Sequence, residues 1–413
     1  MYKEYELLEK LYFVRTGGSE EELKACHIIK DELEALGLES TIESFDISMT
    51  YDSEAYMEVL EPYNKQYNVT AYEASDNVEE VKGELYYFEQ DNPVCKKAVK
   101  GKIALINGYM NMRLAKALSE AGAIGFVSYS GDIDKAYNDL DVREYREMIK
   151  PFGILPGIHM KVEDAMELVE KQAFTLKFGY KQRVETGKSH NLVCDIKGES
   201  DDVIVCSAHY DSVPFSKGAY DNATGSVCLY KIAEMLKDKK LNHTVRLVWC
   251  GSEERGLCGS KAYVEMHEDL LKNIKLCVNI DMIGSIMGKR IAVCTSDMSL
   301  VHYTDYYAKI NGFPLEVSQG VYSSDSTPFA DKGVPAMSFA RITQPGTGSI
   351  HSYSDVIEHM SERLLNEDCV FISKYVENMA NAYVIPVTQK IPDNMKEELD
   401  KYLGRTLKKE MEK

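Results

Sequence analysis

Seven side chains in this sequence combine in a way that packing alone does not require. The stretch CSAHYDSVPFSKGAYDNATGS places His209, Asp211 and Asp221 directly after the apolar run Val203–Cys206. Glu253 and Glu254 follow the run TVRLVWCGS, KLCVNI ends at Asp281, and the Gly/Ser-rich loop GTGSIHSYSD delivers His351. Carboxylates crowded together repel and raise one another's pKa, a penalty that divalent cations remove. Imidazole with carboxylate suits zinc or a related metal such as cobalt or manganese. Five ligands with one carboxylate shared suit two ions about 3.5–4 Å apart. In that arrangement His209 supplies a nitrogen, Asp221 can bridge, and Asp211 orients His209 from behind.

Each residue also has a plainer explanation. His209 alone could be a hydrogen-bonded core histidine, Asp221 a helix cap before NATGSVCLYK, Glu253-Glu254 a solvated pair, and His351 a surface residue. Asp281 is harder to dismiss, because burying a lone carboxylate is costly. The shared placement, each group just past an apolar strand or in a loop, favours a metal centre.

Alternating elements must position these groups. From about residue 188 onward the runs DVIVCSAHYDS, TVRLVWCGSEE, KLCVNIDMIG, RIAVCTS and PAMSFA read as buried strands. ATGSVCLYKIAEMLKD, SLVHYTDYYAKING and ERLLNEDCVFISKYVENMANAYV read as helices. This predicts an α/β fold, a mostly parallel mixed sheet flanked by helices, with ligands beyond the carboxyl ends of its strands. Near the start, residues 4–13 and GGSEEELKACHIIKDELEALGLES read as helices, the second with Ser19 and Glu22 as a capping box and Gly37 as its stop. Residues 51–187 change character, with strand-like GELYYFEQ, GKIALING and AIGFVSY around the helical MRLAKALSEAG and no ligand spacing. The expected organisation is one domain from 1–50 and 188–390, an inserted domain 51–187, and a charged helical tail 391–413.

Composition narrows the class. The 413 residues carry 44% hydrophobic and 28% charged side chains, ordinary for a globular protein. A net charge of −18 repels phosphate backbones, so no nucleic-acid partner is expected. The N-terminal segment lacks a basic stretch followed by an apolar core, and no run reaches membrane-helix length, so a cytoplasmic protein without membrane partners is expected. Ten cysteines occur without a CxxC pair, and several sit in apolar strands, as buried reduced thiols would. Phosphate-loop, nucleophile-elbow and HExxH patterns are absent.

The motifs AHYDS, GAYDNATGS, GSEERGLCGS, NIDMIG, SDSTPFADKGVPA and HSYSD, in this order over about 188–360, resemble the M28 family of zinc peptidases. The insert is similar to a protease-associated (PA) domain, chiefly in GKIALINGYMNMRLAKALSEAGAIGFVSY and GILPGIHM. The resemblance implies a zinc-peptidase-like catalytic domain with a smaller, β-rich α/β insert. It implies two Zn(2+) per chain, one held by His209 and Asp281, the other by Glu254 and His351, with Asp221 bridging. It makes Glu253 the general base, Asp211 the partner of His209, and the Asp221–Asn222 peptide cis. A tyrosine precedes the last zinc histidine in well-studied relatives, where this chain has Ile350; Tyr322 and Tyr353 are candidate substitutes.

The expected function is removal of N-terminal residues from peptides by a metal-bridging hydroxide, with Glu253 moving the proton. Carboxypeptidases and glutaminyl cyclases share the scaffold, and a non-catalytic receptor-like binding protein is the alternative of a different class. The complete ligand set argues against the last two.

Overall fold

The computed structural model describes residues 2–135, 137–344 and 346–412; Met1, Ala136, Pro345 and Lys413 lie outside them. The chain divides into two compact units, Met1–Ile47 with Lys188–Tyr402, and Ser48–Gly187 with Leu403–Lys413.

The first unit, whose elements are numbered within it, opens with helices α1 (Lys3–Lys10) and α2 (Glu20–Ala35). The strand β1 (Ser40–Glu61) leads out of it and β2 (Thr175–Ile196) leads back. Then come β3 (Gly198–His209), α3 (Thr224–Leu236), β4 (Leu241–Cys250), α4 (Cys258–Met266) and β5 (Ile274–Ile280). They are followed by β6 (Lys289–Thr295), α5 (Met298–Ile310), β7 (Glu316–Gln319), α6 (Ser326–Asp331), β8 (Ala336–Ile342), α7 (Glu362–Ala380) and α8 (Asp393–Tyr402). The strand order is β7-β6-β8-β5-β3-β4-β2. Pairing is parallel for β3 with β4, β3 with β5, β5 with β8 and β6 with β7, and antiparallel for β6 with β8 and β2 with β4. The fold is therefore the expected mixed, mainly parallel sheet flanked by helices.

Strand period sets the two cores. Ile204, Cys206 and Ala208 of β3, Leu247 and Trp249 of β4, and Leu276 and Val278 of β5 face one side, under α1, α2, α3 and α7. Val205, Val248, Cys250 and Cys277 face the other, under α4, α6 and α8. Such central strands are apolar throughout because helices cover both faces. Each fully buried aliphatic side chain contributes about 1.5–3 kcal/mol. The stretch read as a charged tail is divided: Ile391, Met395 and Leu399 are buried in the second core, while Leu403–Lys413 falls in the other unit. Met395 and Leu399, one turn apart, bury one stripe of an otherwise charged helix, and Ile391 just ahead of it extends the contact.

The second unit pairs Val78–Tyr87, Ile103–Asn107, Gly125–Ser130 and Gly157–Lys161 in parallel. Helices Pro93–Val99, Met112–Ala121 and Val162–Glu170 accompany them. Here His159 is fully buried and bonds Ser128 Oγ at 2.7 Å and Ser130 Oγ at 2.9 Å. All ten cysteines are free, nine of them buried. Among the described residues no helix is long and apolar enough to cross a membrane.

Candidate metal centre

Parallel pairing sends the carboxyl ends of β3, β4 and β5 to one sheet edge. His209 is the last residue of β3, and the register Ser207 opposite Asn279 brings it level with Asp281, the residue after β5. The turn after β4 supplies Glu253 and Glu254, and the loop after β3 returns Asp221 just ahead of α3. The Asp221–Asn222 peptide is cis. Asn222 ties this turn to β5: its Nδ2 donates to Ile280 O (2.9 Å) and its Oδ1 accepts from Met282 N (3.1 Å) and Gly225 N (2.8 Å).

Two groups of donors result, His209 with Asp221 and Asp281, and Asp221 with Glu254 and His351; within each, one atom per residue lies within 4.8 Å of the others. His209 Nε2 is 3.1 Å from Asp221 Oδ1 and 3.5 Å from Asp281 Oδ1. His351 Nε2 is 3.1 Å from Asp221 Oδ2 and 3.0 Å from Glu254 Oε2. Asp211 Oδ1 lies 3.3 Å from His209 Nδ1, and its carboxylate accepts from Glu253 N (3.0 Å) and Glu254 N (3.2 Å). It thus fixes the glutamate turn beside the imidazole.

Charge is the dominant feature. The Asp221 carboxyl is held well below its usual range: burial works against ionisation, but His209 and His351 outweigh it. Burial opposes a charge on His351 too, yet Glu254 and Asp221 push it up to about 11. Glu253, partly exposed, is pushed well above the usual carboxylate range by burial and by Glu254, Asp325 and Asp281, against the pull of His209. These donors fit a metal. Asp281 Oδ1 is buried without a hydrogen-bond partner, and the acids outnumber the two histidines that face them.

Residues that the sequence reading did not connect with the site hold the candidate donors. Asp355, within the HSYSD motif, accepts from Tyr220 N (2.7 Å) and Asp221 N (3.1 Å). Ser324 donates to Asp281 Oδ2 at 2.6 Å, and buried Asp325 follows it. Both lie in or beside SDSTPF, where an acid among small residues ahead of an apolar strand was the available signal. Arg15 and Glu22, ahead of and within the first turn of α2, are buried as well. Of the tyrosine candidates, Tyr353 is 38% exposed. Burial, and then the charges of Asp281, Tyr220, Asp221 and Glu253, raise the Tyr322 hydroxyl above its usual range, so that phenol stands in the field of the centre.

Residues 191–374 match the sequence profile of peptidase family M28. The chain is 31% identical over 294 residues to aminopeptidase YwaD of Bacillus subtilis, covering 65% of this chain and 60% of that one. It is 32% identical over 197 residues to leucine aminopeptidase 2 of Trichophyton equinum, covering 45% and 38%. The match thus spans less than two thirds of either relative. A zinc aminopeptidase structure from Bacillus subtilis superposes with a TM-score of 0.76 at 23% identity, covering 94% of this chain and 98% of that one, a likeness of fold.

Proposed function

We propose that this chain is an M28-type, zinc-dependent aminopeptidase that hydrolyses the first peptide bond of peptides with a free amino terminus. The carrying observation is Asp221, whose two oxygens face different histidines at 3.1 Å each, the disposition of a carboxylate shared between two cations. His209 and Asp281 would hold one zinc, and Glu254 and His351 the other. The aminopeptidase names of the relatives support the amino-terminal polarity.

When bound, the ions would polarise the scissile carbonyl and acidify a water between them. Glu253 would take that proton and return it to the leaving amine, a role its position beside Glu254 supports. Asp211 keeps His209 in the tautomer that presents Nε2. Ile350 offers no donor to a developing oxyanion, and we assign that contact to Tyr322, which stays protonated and can donate.

The test pairs zinc analysis with an aminoacyl chromogenic substrate. Wild type should bind two zinc ions per chain and release the terminal residue. Glu253→Gln should keep both ions and lose about 10²–10⁴-fold in kcat. Near-normal turnover in Glu253→Gln removes that residue from proton transfer, and a wild type without zinc ends the reading.

A further inference from the structure

We propose that the segment Arg15–Glu22 is the positioning element of this centre, holding the loop that carries Asp221 and the turn that carries Glu253-Glu254 in mutual register. The proposal rests on the zinc-peptidase reading but concerns residues that reading leaves idle.

Arg15 is fully buried, a position arginine takes only when its donors are satisfied. Among the described residues no carboxylate is hydrogen-bonded to it. Its guanidinium donates instead to backbone carbonyls: Tyr210 O through Nε, Lys217 O (2.5 Å), Leu11 O and Phe13 O (3.1 Å each) through Nη1, and Gly218 O (2.8 Å) through Nη2. Tyr210 follows His209, and Gly218 stands three residues before Asp221. One rigid, five-donor fork therefore closes both ends of the loop whose span separates two ligands. The backbone adds to the grip. Arg15 N donates to Ser212 Oγ (3.1 Å), Ser212 N donates to Arg15 O (3.2 Å), and Thr16 bridges Ser212 in parallel.

The other end of the segment grips the other turn. Ser19 caps α2 by accepting from Glu22 N at 3.1 Å. Glu22 does not return the bond to Ser19, as a capping box would; Ser19 N donates to Thr16 O. Its Oε2 accepts from Gly18 N (3.0 Å), and its Oε1 from Ser189 Oγ (2.7 Å) and Ser252 Oγ (3.1 Å). Ser252 immediately precedes Glu253. The approach is close: a Cβ on Gly17 would stand 2.4 Å from Ser252 Oγ and 2.8 Å from its Cα. Eight residues thus carry a clamp at each end, one on each ligand-bearing loop. Asp221 and Glu254 must converge for both oxygens of Asp221 to be used.

The test uses full-length Arg15→Lys, Arg15→Met and Glu22→Gln, with zinc affinity from competition against a chelator, kcat and KM, and the melting temperature of the zinc-free protein. Arg15→Met should bind zinc 10–100-fold more weakly, the range seen when groups behind metal ligands are removed, and lose kcat with KM little changed. Arg15→Lys keeps the charge without the fork and should recover only part of the affinity. Glu22→Gln keeps one acceptor and should fall between it and wild type. Zinc affinity and kcat unchanged in Arg15→Met, with only a lower zinc-free melting temperature, overturn the proposal; if Arg15→Met does not fold, the same result in the other two does so. Wild type that binds zinc without cleaving peptides defeats the aminopeptidase reading alone, since the affinities still decide this one.

Discussion

Because Asp221 presents an oxygen to each histidine, its replacement differs in kind from that of its neighbours. Asp221→Asn should weaken both zinc sites, whereas Asp281→Asn should weaken one and leave about one ion per chain; metal analysis after dialysis separates the outcomes. Tyr322→Phe should lower kcat about 10²-fold with KM little changed, the loss expected of an oxyanion donor, measured on the chromogenic substrate. The candidate donors were legible in the sequence because a charged side chain just past an apolar strand is costly unless something neutralises it. The residues behind them were not. Asp355, Asn222 and Arg15 bond backbone groups far away in sequence, and nothing in their neighbours announces those partners.

At the scale of elements, three adjacent parallel strands and the start of one helix set the geometry. Gly225 opens α3 so close to β5 that a Cβ would stand 2.4 Å from Ile280 O and 2.5 Å from Asn222 Oδ1. Gly225→Ala should therefore shift the Asp221 turn and weaken zinc binding more than overall stability, read by zinc competition beside urea unfolding. Leu247→Ala, in the middle of β4 and fully buried, should instead cost about 2–5 kcal/mol of stability with little effect on zinc affinity in the folded state. The strands could be read from the sequence as apolar runs and the helices from their period. The capping box could be read only in part: Ser19 caps as its type predicts, while Glu22 is taken up by serines 167 and 230 positions away.

For the whole molecule, one buried histidine makes the second unit sensitive to pH, and bound metal would stabilise the first. Burial, and then the positive charge of Arg143, lower the pKa of His159 from 6.5 to about 3. Between those values the unfolded chain binds a proton that the folded one excludes. The contribution of His159 is thus intact above about pH 6.5 and declines as pH falls, by about 1.4 kcal/mol per unit. Protection factors in Gly125–Ser130 and Gly157–Lys161, taken relative to the intrinsic exchange rate at each pH, should fall accordingly between pH 7 and 5, and His159→Gln should flatten that slope. Chelation should lower the melting temperature of the first unit, since ions bound only by the folded state stabilise it by mass action. The change of character near residues 50 and 187 is visible in composition; the burial of Met395 and Leu399 is not, because charged neighbours hide so narrow a stripe.

The first unit draws its parts from both sides of a long interval, Met1–Ile47 and Lys188–Tyr402. On a translating ribosome, Arg15 and Glu22 emerge long before any of the loops they grip. A nascent chain shorter than about Asp281 has no sheet edge to complete, and His351 comes later still. The candidate metal centre is therefore completed late in synthesis, after residues 48–187 have left the tunnel, and a product terminated before His351 would lack one of its donors.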